Sequence, residues 1–457
     1  MAGVTTPVRA YIRSLDLDAY VVGGAVRDEL LGIPHADEDF LVVGVDQAEL
    51  RAALAPHGRV DDMEVHGQLV GVRFHPRDPA VRRLVPAGIE ITPPRAERST
   101  GPGHRDFAIV ADPSVSLEED MARRDFTVNA MARRLADGQL VDPFGGLADL
   151  ARRELRTVSP ASFVEDPLRI LRGLRLVSQL GFDLAGETLL QMRAHAGGLR
   201  HVSGERIGGG IAGDGTGELS RLLLGREPAR ALRLARDTGA LVAFLPELEQ
   251  AIGHELASER QPVPLDEHLF RVVQAAADAG AQLPVRLAAL LHDIGKPQAS
   301  RDGRDHAQAG AELAARALRR LRYPVRLQQQ VVAIVRHHAF HCDELRDGEA
   351  LRRFLARHGD ELATRLVEHK LADVAAKRVA PEELERVRAL ATALERERVH
   401  PHAVRELAVG GDDLLALGYR EGPELGRVLR LLLDEVLADP SRNERGALLA
   451  RAREELA

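Results

Sequence analysis

Apolar and polar positions alternate in short runs through the first third of the chain and then settle into a helical period. Tyr20 to Val22 reads as a strand, Gly23 and Gly24 as a turn, and the residues through Asp28 as the start of a short helix. Gly32 and Pro34 break that helix into a loop, and a second strand runs from Glu38 to Val43. Gly88 to Thr92, Asp106 to Ala111 and Gln139 to Asp142 read as further strands, with the turn-rich segment AERSTGPGH from Ala96 to His104 as a mobile loop between two of them. From Leu150 the strand signals stop. FVEDPLRILRGLRLVSQLGF predicts a helix with Glu165, Asp166 and Pro167 in its first turn and Arg169, Arg172 and Arg175 along one face. Seven glycines between Gly204 and Gly217 predict a frayed or broken helix, since each weakens a helix by up to about 1 kcal/mol relative to Ala. A proline-rich linker, ERQPVPLDEH, ends this section near residue 265, and helical patterns continue to the C-terminus. The pattern therefore predicts an α+β chain: a mixed sheet with helices over 1–150, a helical body over 151–260, and two further helical segments over 261–380 and 381–457.

Composition narrows the classes open to such a chain. Its 457 residues allow about three domains, and 45% hydrophobic residues supply cores for them. No apolar run approaches the ~18 residues needed to span a membrane, and MAGVTTPVRA has no signal-peptide pattern, so a cytoplasmic location without membrane attachment is expected. The single cysteine, Cys342, excludes an internal disulfide framework and a cysteine-based zinc finger. A formal net charge of -7 argues against general nucleic-acid affinity, yet nearly every basic residue is arginine, whose planar fork suits phosphates and base edges. With no Trp and 3% aromatic residues, stacking on bases is not a major device here.

Two constellations carry chemistry. Asp37 and Asp39 stand two apart at the mouth of the second strand, on one face by its period, where paired carboxylates either hold a divalent cation or mark a solvated strand end. Gly23 and Gly24 let backbone N–H groups approach phosphate oxygens, so a nucleoside triphosphate with magnesium fits the pair. Glu90 is a candidate third acid. Arg123, Arg124 and Asp125 form a dense cluster before FTVNA that a triphosphate would explain and a solvated helix surface would also produce. Asp166 and Arg169, three apart, can present an acceptor and donors to base edges, or serve as ordinary helix-start charges. The second constellation begins at His268 and continues through His292 and Asp293, His306, the pair His337 and His338, and Asp373. Adjacent His and Asp at the end of an apolar run are costly to bury without a ligand, and this donor set suits manganese, nickel, cobalt or zinc activating water against a phosphate ester. Asp412 and Asp413 read as caps of the helix beginning at Leu414.

The stretches GGAVRDELLG with DED, RRDFTVNA, DPFGG, EDPLRILRGLR, GERI, and HD with IGK occur in one order along the chain. In this set the chain resembles the bacterial class II tRNA nucleotidyltransferases, the CCA-adding enzymes and their poly(A) polymerase relatives, with an attached HD phosphohydrolase domain. The resemblance implies a head of the polymerase β type in which Asp37 and Asp39 bind Mg2+ and Glu90 falls where the family often has a third acid. It implies that Gly23, Gly24, Arg27 and Asp28 bind the triphosphate, and that Arg123, Arg124, Asp125 and Asn129 hold phosphate and ribose. Asp166 and Arg169, with Arg172 nearby, are then expected to select CTP or ATP without a template, Glu165, Glu205 and Arg206 to brace that site, and the helical neck and tail to bind tRNA by shape and backbone. His268, His292, Asp293 and Asp373 become the HD metal ligands. Addition of CC alone, of A alone or of poly(A), a main activity in the HD half, and a non-catalytic RNA-binding scaffold are the alternatives.

Overall fold

A computed structural model describes residues 6–34, 38–65, 68–99, 107–111, 113–255 and 258–456. The chain forms two compact units, 1–202 with 237–244, and 203–236 with 245–457.

The first unit is built on a sheet. Its strands, with those of a small hairpin beside it, are β1 (Ala19–Val22), β2 (Asp39–Val42), β3 (Gly58–Val65), β4 (Gln68–Pro76), β5 (Ile89–Thr92), β6 (Arg95–Ser99), β7 (Phe107–Ala111), β8 (Ala132–Arg134) and β9 (Leu140–Val141). Seven of them pair in the order β3-β4-β5-β2-β1-β8-β9, while β6 and β7 pair with each other. Within the seven-stranded sheet only β2 and β5 run parallel, Phe40 opposite Ile91. Val21, Val22, Phe40, Leu41 and Val42 are buried, so the two central strands are apolar on both faces and only Asp39, at the mouth of β2, is exposed. The short helix α1 (Gly24–Leu31) leaves β1 directly after Gly23 and stops at Gly32, which adopts φ 68. The expected loop at Ala96 to His104 is in part a strand, since Arg95–Ser99 pairs with Phe107–Ala111; the rest of it, and Asp106, lie outside the described residues.

The helix read from FVEDPLRIL is in fact two. α2 (Leu117–Ala122) precedes them in the head; α3 (Ser162–Glu165) then ends at Asp166, whose extended backbone (φ -140, ψ 99) separates it from α4 (Leu168–Leu180). Pro167 explains the break, because the residue before a proline is driven out of the helical region. Glu165 therefore closes one helix, and Asp166 starts the next by accepting from Leu168 N at 3.1 Å.

The second unit is helical. α5 (Leu265–Asp278), α6 (Leu283–Leu291), α7 (His306–Arg320), α8 (Val325–His337) and α9 (Gly348–Ala375, broken at Gly359, φ 70) pack against one another. A separate core of Val409, Leu414, Tyr419, Val428, Leu432, Val436 and Leu448 closes the tail. There Asp413 accepts from Gly410 N at 2.9 Å, so its capping role stands, in a helix that begins at Gly411. The glycine-rich segment is not frayed. Glu205–Gly209 form a π-type turn, Gly209 N donates to Leu321 O at 2.9 Å, and Gly217 N to Gly208 O at 3.0 Å. A Cβ on Gly209 would sit 2.0 Å from Arg322 O, so glycine is required by the close backbone approach and not by a need for flexibility.

Candidate active sites

In the first unit the Gly-Gly turn and the RRDFTVNA segment meet. Gly23 has φ 74, and a Cβ there would lie 2.6 Å from Arg124 Nη1, so a guanidinium rests directly on the bare backbone. Arg27 Nη1 donates to Asn129 Oδ1 at 2.5 Å and its Nε to Asp28 Oδ1 at 2.8 Å. Arg124 Nη1 reaches Asn129 O at 3.4 Å. Asp120, fully buried, neutralises part of this charge: Arg123 lies 2.7 Å and Arg124 3.2 Å from its carboxylate. Burial pushes the Asp120 carboxyl up, but the two arginines outweigh it and hold it below the usual range.

Asp125 organises the next layer. Its Oδ1 accepts from Phe126 N at 2.8 Å and Asn129 Nδ2 at 2.9 Å, and its Oδ2 from Arg172 Nε at 2.7 Å. Burial works against its charge, yet Arg172 and these hydrogen bonds bring the carboxyl to about 2. Arg169 is 8% exposed and engaged inside the head: Nη2 donates to Arg123 O at 2.6 Å, and Nη1 to Ser162 O at 3.2 Å and Glu165 Oε2 at 2.9 Å. Arg169 and Arg172 thus tie α4 to the RRD turn.

On the acidic edge, Asp37 lies outside the described residues. Glu38 is bound by Arg9 Nε at 2.6 Å and Thr6 Oγ1 at 3.1 Å. The parallel register of Phe40 with Ile91, stepped back one residue on each strand, sets Asp39 beside Glu90 on one face of the sheet. Glu90 also pairs with Arg73 at 2.6 Å. These are oxygen donors only, the type magnesium prefers.

The second unit gathers the histidines. His268 is held in α5, His292 and Asp293 follow the last turn of α6, His306 begins α7, His338 follows α8, and His369 and Asp373 lie one turn apart on α9. His268 Nε2 is 3.2 Å from Asp373 Oδ1, His292 Nε2 3.2 Å from Asp293 Oδ2, and His338 Nε2 3.3 Å from Asp293 Oδ1. His306 Nε2 stands 3.6 Å from the same Asp293 oxygen. His268, His292 and Asp293 can hold one metal ion, as can Asp293, His306 and His338. Both ring nitrogens of His268, His292 Nε2, Asp293 Oδ1 and Asp373 Oδ1 are buried without a hydrogen-bond partner, which is costly for a closed core and expected for donors aimed at a cation. The set fits a divalent metal.

The electrostatics agree. Burial lowers His292 to about 4, so it is the neutral imidazole that a metal requires. Asp293 and Asp373 are held well below the usual carboxylate range: burial opposes this, but His292 and Lys296 around the first, and His268 and Lys377 around the second, outweigh it. Lys296 Nζ is 2.5 Å from Asp293, and Lys377 Nζ 2.6 Å from Asp373. Burial also lowers Lys370 below the ordinary lysine value.

Comparison with known proteins connects the two constellations. Residues 19–156 match the poly A polymerase head domain, 181–252 the probable RNA and SrmB-binding site of polymerase A, and 265–391 the HD domain. A multifunctional CCA protein of Xanthomonas campestris pv. campestris (strain B100) is 38% identical over 426 residues, covering 90% of this chain and 95% of the relative. This chain belongs to that family. A second member, from Azoarcus sp. (strain BH72), is 41% identical over 328 residues, 70% of this chain and 73% of its own. Among solved structures, the CCA-adding enzyme of Bacillus stearothermophilus in complex with CTP aligns with a TM-score of 0.70 at 27% identity, over 99% of this chain and 98% of that one.

Within this family member, the first unit brings Arg27, Arg123, Arg124, Asp125, Asn129, Arg169 and Arg172 into one bonded cluster, with Gly23 against Arg124 and Gly24 next to it in the chain. Glu205 and Arg206 fall in the other unit, where Glu205 lies 3.6 Å from Arg322. Of the pair His337 and His338, only His338 joins the metal cluster; His337 packs against His358, ring centroids 5.0 Å apart. His369 was missed by sequence reasoning. Its ring centroid is 4.8 Å from that of His292, and its spacing of four from Asp373 on one helix was the available signal. Among the described residues no helix is long and apolar enough to cross a membrane.

Proposed function

We propose that this chain adds CMP and AMP from CTP and ATP to the 3' end of tRNA, completing or repairing CCA, in the cytoplasm. The observation that carries this is the junction of the Gly-Gly turn with RRDFTVNA through Arg27, Arg124 and Asn129, in a member of the multifunctional CCA protein family. The tRNA 3'-hydroxyl attacks the α-phosphorus, its new O–P bond forming as the bond to the departing pyrophosphate breaks. Gly23 and Gly24 offer backbone to the triphosphate, Arg27 and Arg124 balance its charge, and Asp125 with Asn129 fixes the ribose end. Asp37, Asp39 and Glu90 would hold Mg2+, which when bound favours the hydroxyl's ionisation and offsets the charge on the phosphates. Catalysis is otherwise positioning.

Base choice falls to Asp166 and Arg169. Glu165 steadies Arg169, and Arg172 steadies the RRD turn. Residues 1–150 act as the catalytic head and 151–260 as the base-selecting, tRNA-binding body; 261–380 form the HD domain and 381–457 a tRNA-binding tail. A second activity is favoured by the unpartnered donors around Asp293: hydrolysis of a phosphodiester or phosphomonoester on RNA ends, with Ni, Mn, Co or Zn held by His268, His292, Asp293 and Asp373.

The deciding experiment supplies tRNA ending at its discriminator base with CTP alone, ATP alone or both, and sequences the 3' ends. CC with CTP alone and CCA with both nucleotides are expected. CC with both, a single A, or a long A tract would each replace CCA addition by the corresponding narrower activity, and no extension with Mg2+ present would end the reading.

A further inference from the structure

Of the 62 lysine and arginine residues, three are lysines, and all three stand around the metal-ligand cluster of the second unit. Two are spoken for. Lys296 and Lys377, each about one helical turn beyond an acid, lie 2.5 Å from Asp293 and 2.6 Å from Asp373. Lys370 differs. It lies three residues before Asp373, on the helix face that also carries Lys377, and is half-buried. Its Nζ rests 4.9 Å from the centre of the Phe340 ring. Among the described residues no carboxylate lies within ion-pair distance of it. A cavity of about 630 Å3 is lined by Lys370, Asp373 and Lys377, with Arg346 and Arg386 but also Asp343 and Glu383 along its walls. That volume takes a ligand of nucleotide size, for which pockets run about 300–1,000 Å3. An ammonium over an aromatic face, near Asp373 but in ion-pair contact with no carboxylate, keeps donors for an anion that the ligand brings.

We propose that Lys370 seats the substrate phosphate of the HD site, donating from its ammonium to a non-bridging oxygen while the phosphorus lies over the Asp373 end of the metal cluster. This rests on the hydrolase reading above. Lys370 is a positioning residue: it holds the ester and transfers no proton.

The test uses the full chain loaded with Mn2+ or Ni2+, bis(p-nitrophenyl) phosphate as substrate and inorganic phosphate as inhibitor, with Lys370→Met and Lys370→Arg. Losing a charged hydrogen bond to phosphate should raise KM and the phosphate inhibition constant about tenfold or more in Lys370→Met. The turnover number and metal content should change little, and Lys370→Arg should recover part of the loss. CMP incorporation at the other site serves as the folding control. Unchanged KM and phosphate inhibition in Lys370→Met would overturn the proposal, and so would a loss confined to turnover or metal content. If the wild type hydrolyses nothing with either metal, the hydrolase reading fails, and calorimetric titration with inorganic phosphate decides the Lys370 site separately. Binding lost in Lys370→Met upholds it; equal binding, or none to the wild type, sinks it.

Discussion

Asp125 shows how one carboxylate joins three parts of the head. It is 4% exposed, yet it accepts from its own turn at Phe126, from Asn129 beside Arg27, and from Arg172 on α4. Its carboxyl falls from 3.8 to about 2 because these donors outweigh burial, a shift that contributes about 2 kcal/mol to stability where the group is ionised in both states. The sign follows from the depressed value: the contribution is complete above the unfolded carboxyl's range and is lost as pH falls through about 2. Asp125→Asn should therefore unfold in urea with about 2 kcal/mol less stability at pH 7, the gap to wild type narrowing at about pH 3. A gap that is the same at both pH values would mean that the charge of Asp125 contributes nothing to the fold.

At the scale of elements, the segment from Glu205 to Gly217 makes the strongest demand. Gly209 lies so close to the 321–322 backbone that a methyl group would overlap Arg322 O at 2.0 Å, and a carbonyl cannot rotate away as a side chain can. Gly209→Ala is expected to cost about 2–3 kcal/mol in urea unfolding of the full chain, the upper part of the range for overpacking. Gly446→Ala, in the last helix with nothing within 4 Å of the added carbon, is the control and should be neutral or mildly stabilising. Equal behaviour of the two variants would refute the close-approach account. This segment also marks where the sequence ceased to be legible. Local pattern gave β1, α1, β2 and the apolar helices, because their periods and breakers are local; it read seven glycines as looseness, because the partner backbone lies more than a hundred residues away. Pro167 was read as a helix start and its effect on Asp166 was overlooked, which fused α3 with α4. At the sites, His292 and Asp293 were legible as costly buried neighbours, whereas His369 offered only its spacing of four from Asp373, a weak signal until α9 is folded against α6.

The whole molecule carries two donor sets of different chemical character. The first unit offers oxygen donors at Asp39 and Glu90 and a cluster of arginines, whereas the HD unit offers imidazoles with carboxylates and all of the chain's lysines. Hard oxygen ligands suit magnesium; buried neutral imidazoles suit softer transition ions. The two activities should therefore separate both by metal and by mutation. After chelation, Mg2+ alone should restore CMP incorporation but not phosphate-ester hydrolysis, and added Ni2+ or Mn2+ should restore the second. Asp37→Ala with Asp39→Ala should lower CMP incorporation about a hundredfold or more, leaving hydrolysis and tRNA affinity near wild type, because a ligand to the metal is lost and the rest of the surface is untouched. His292→Ala or Asp293→Asn should do the reverse. Both activities are to be measured on the same preparation, with metal content by atomic absorption, so that misfolding is distinguished from loss of a ligand. If either change silences both reactions in protein of normal metal content and melting temperature, the two sites do not work independently, and the assignment of one chemistry to each unit is wrong.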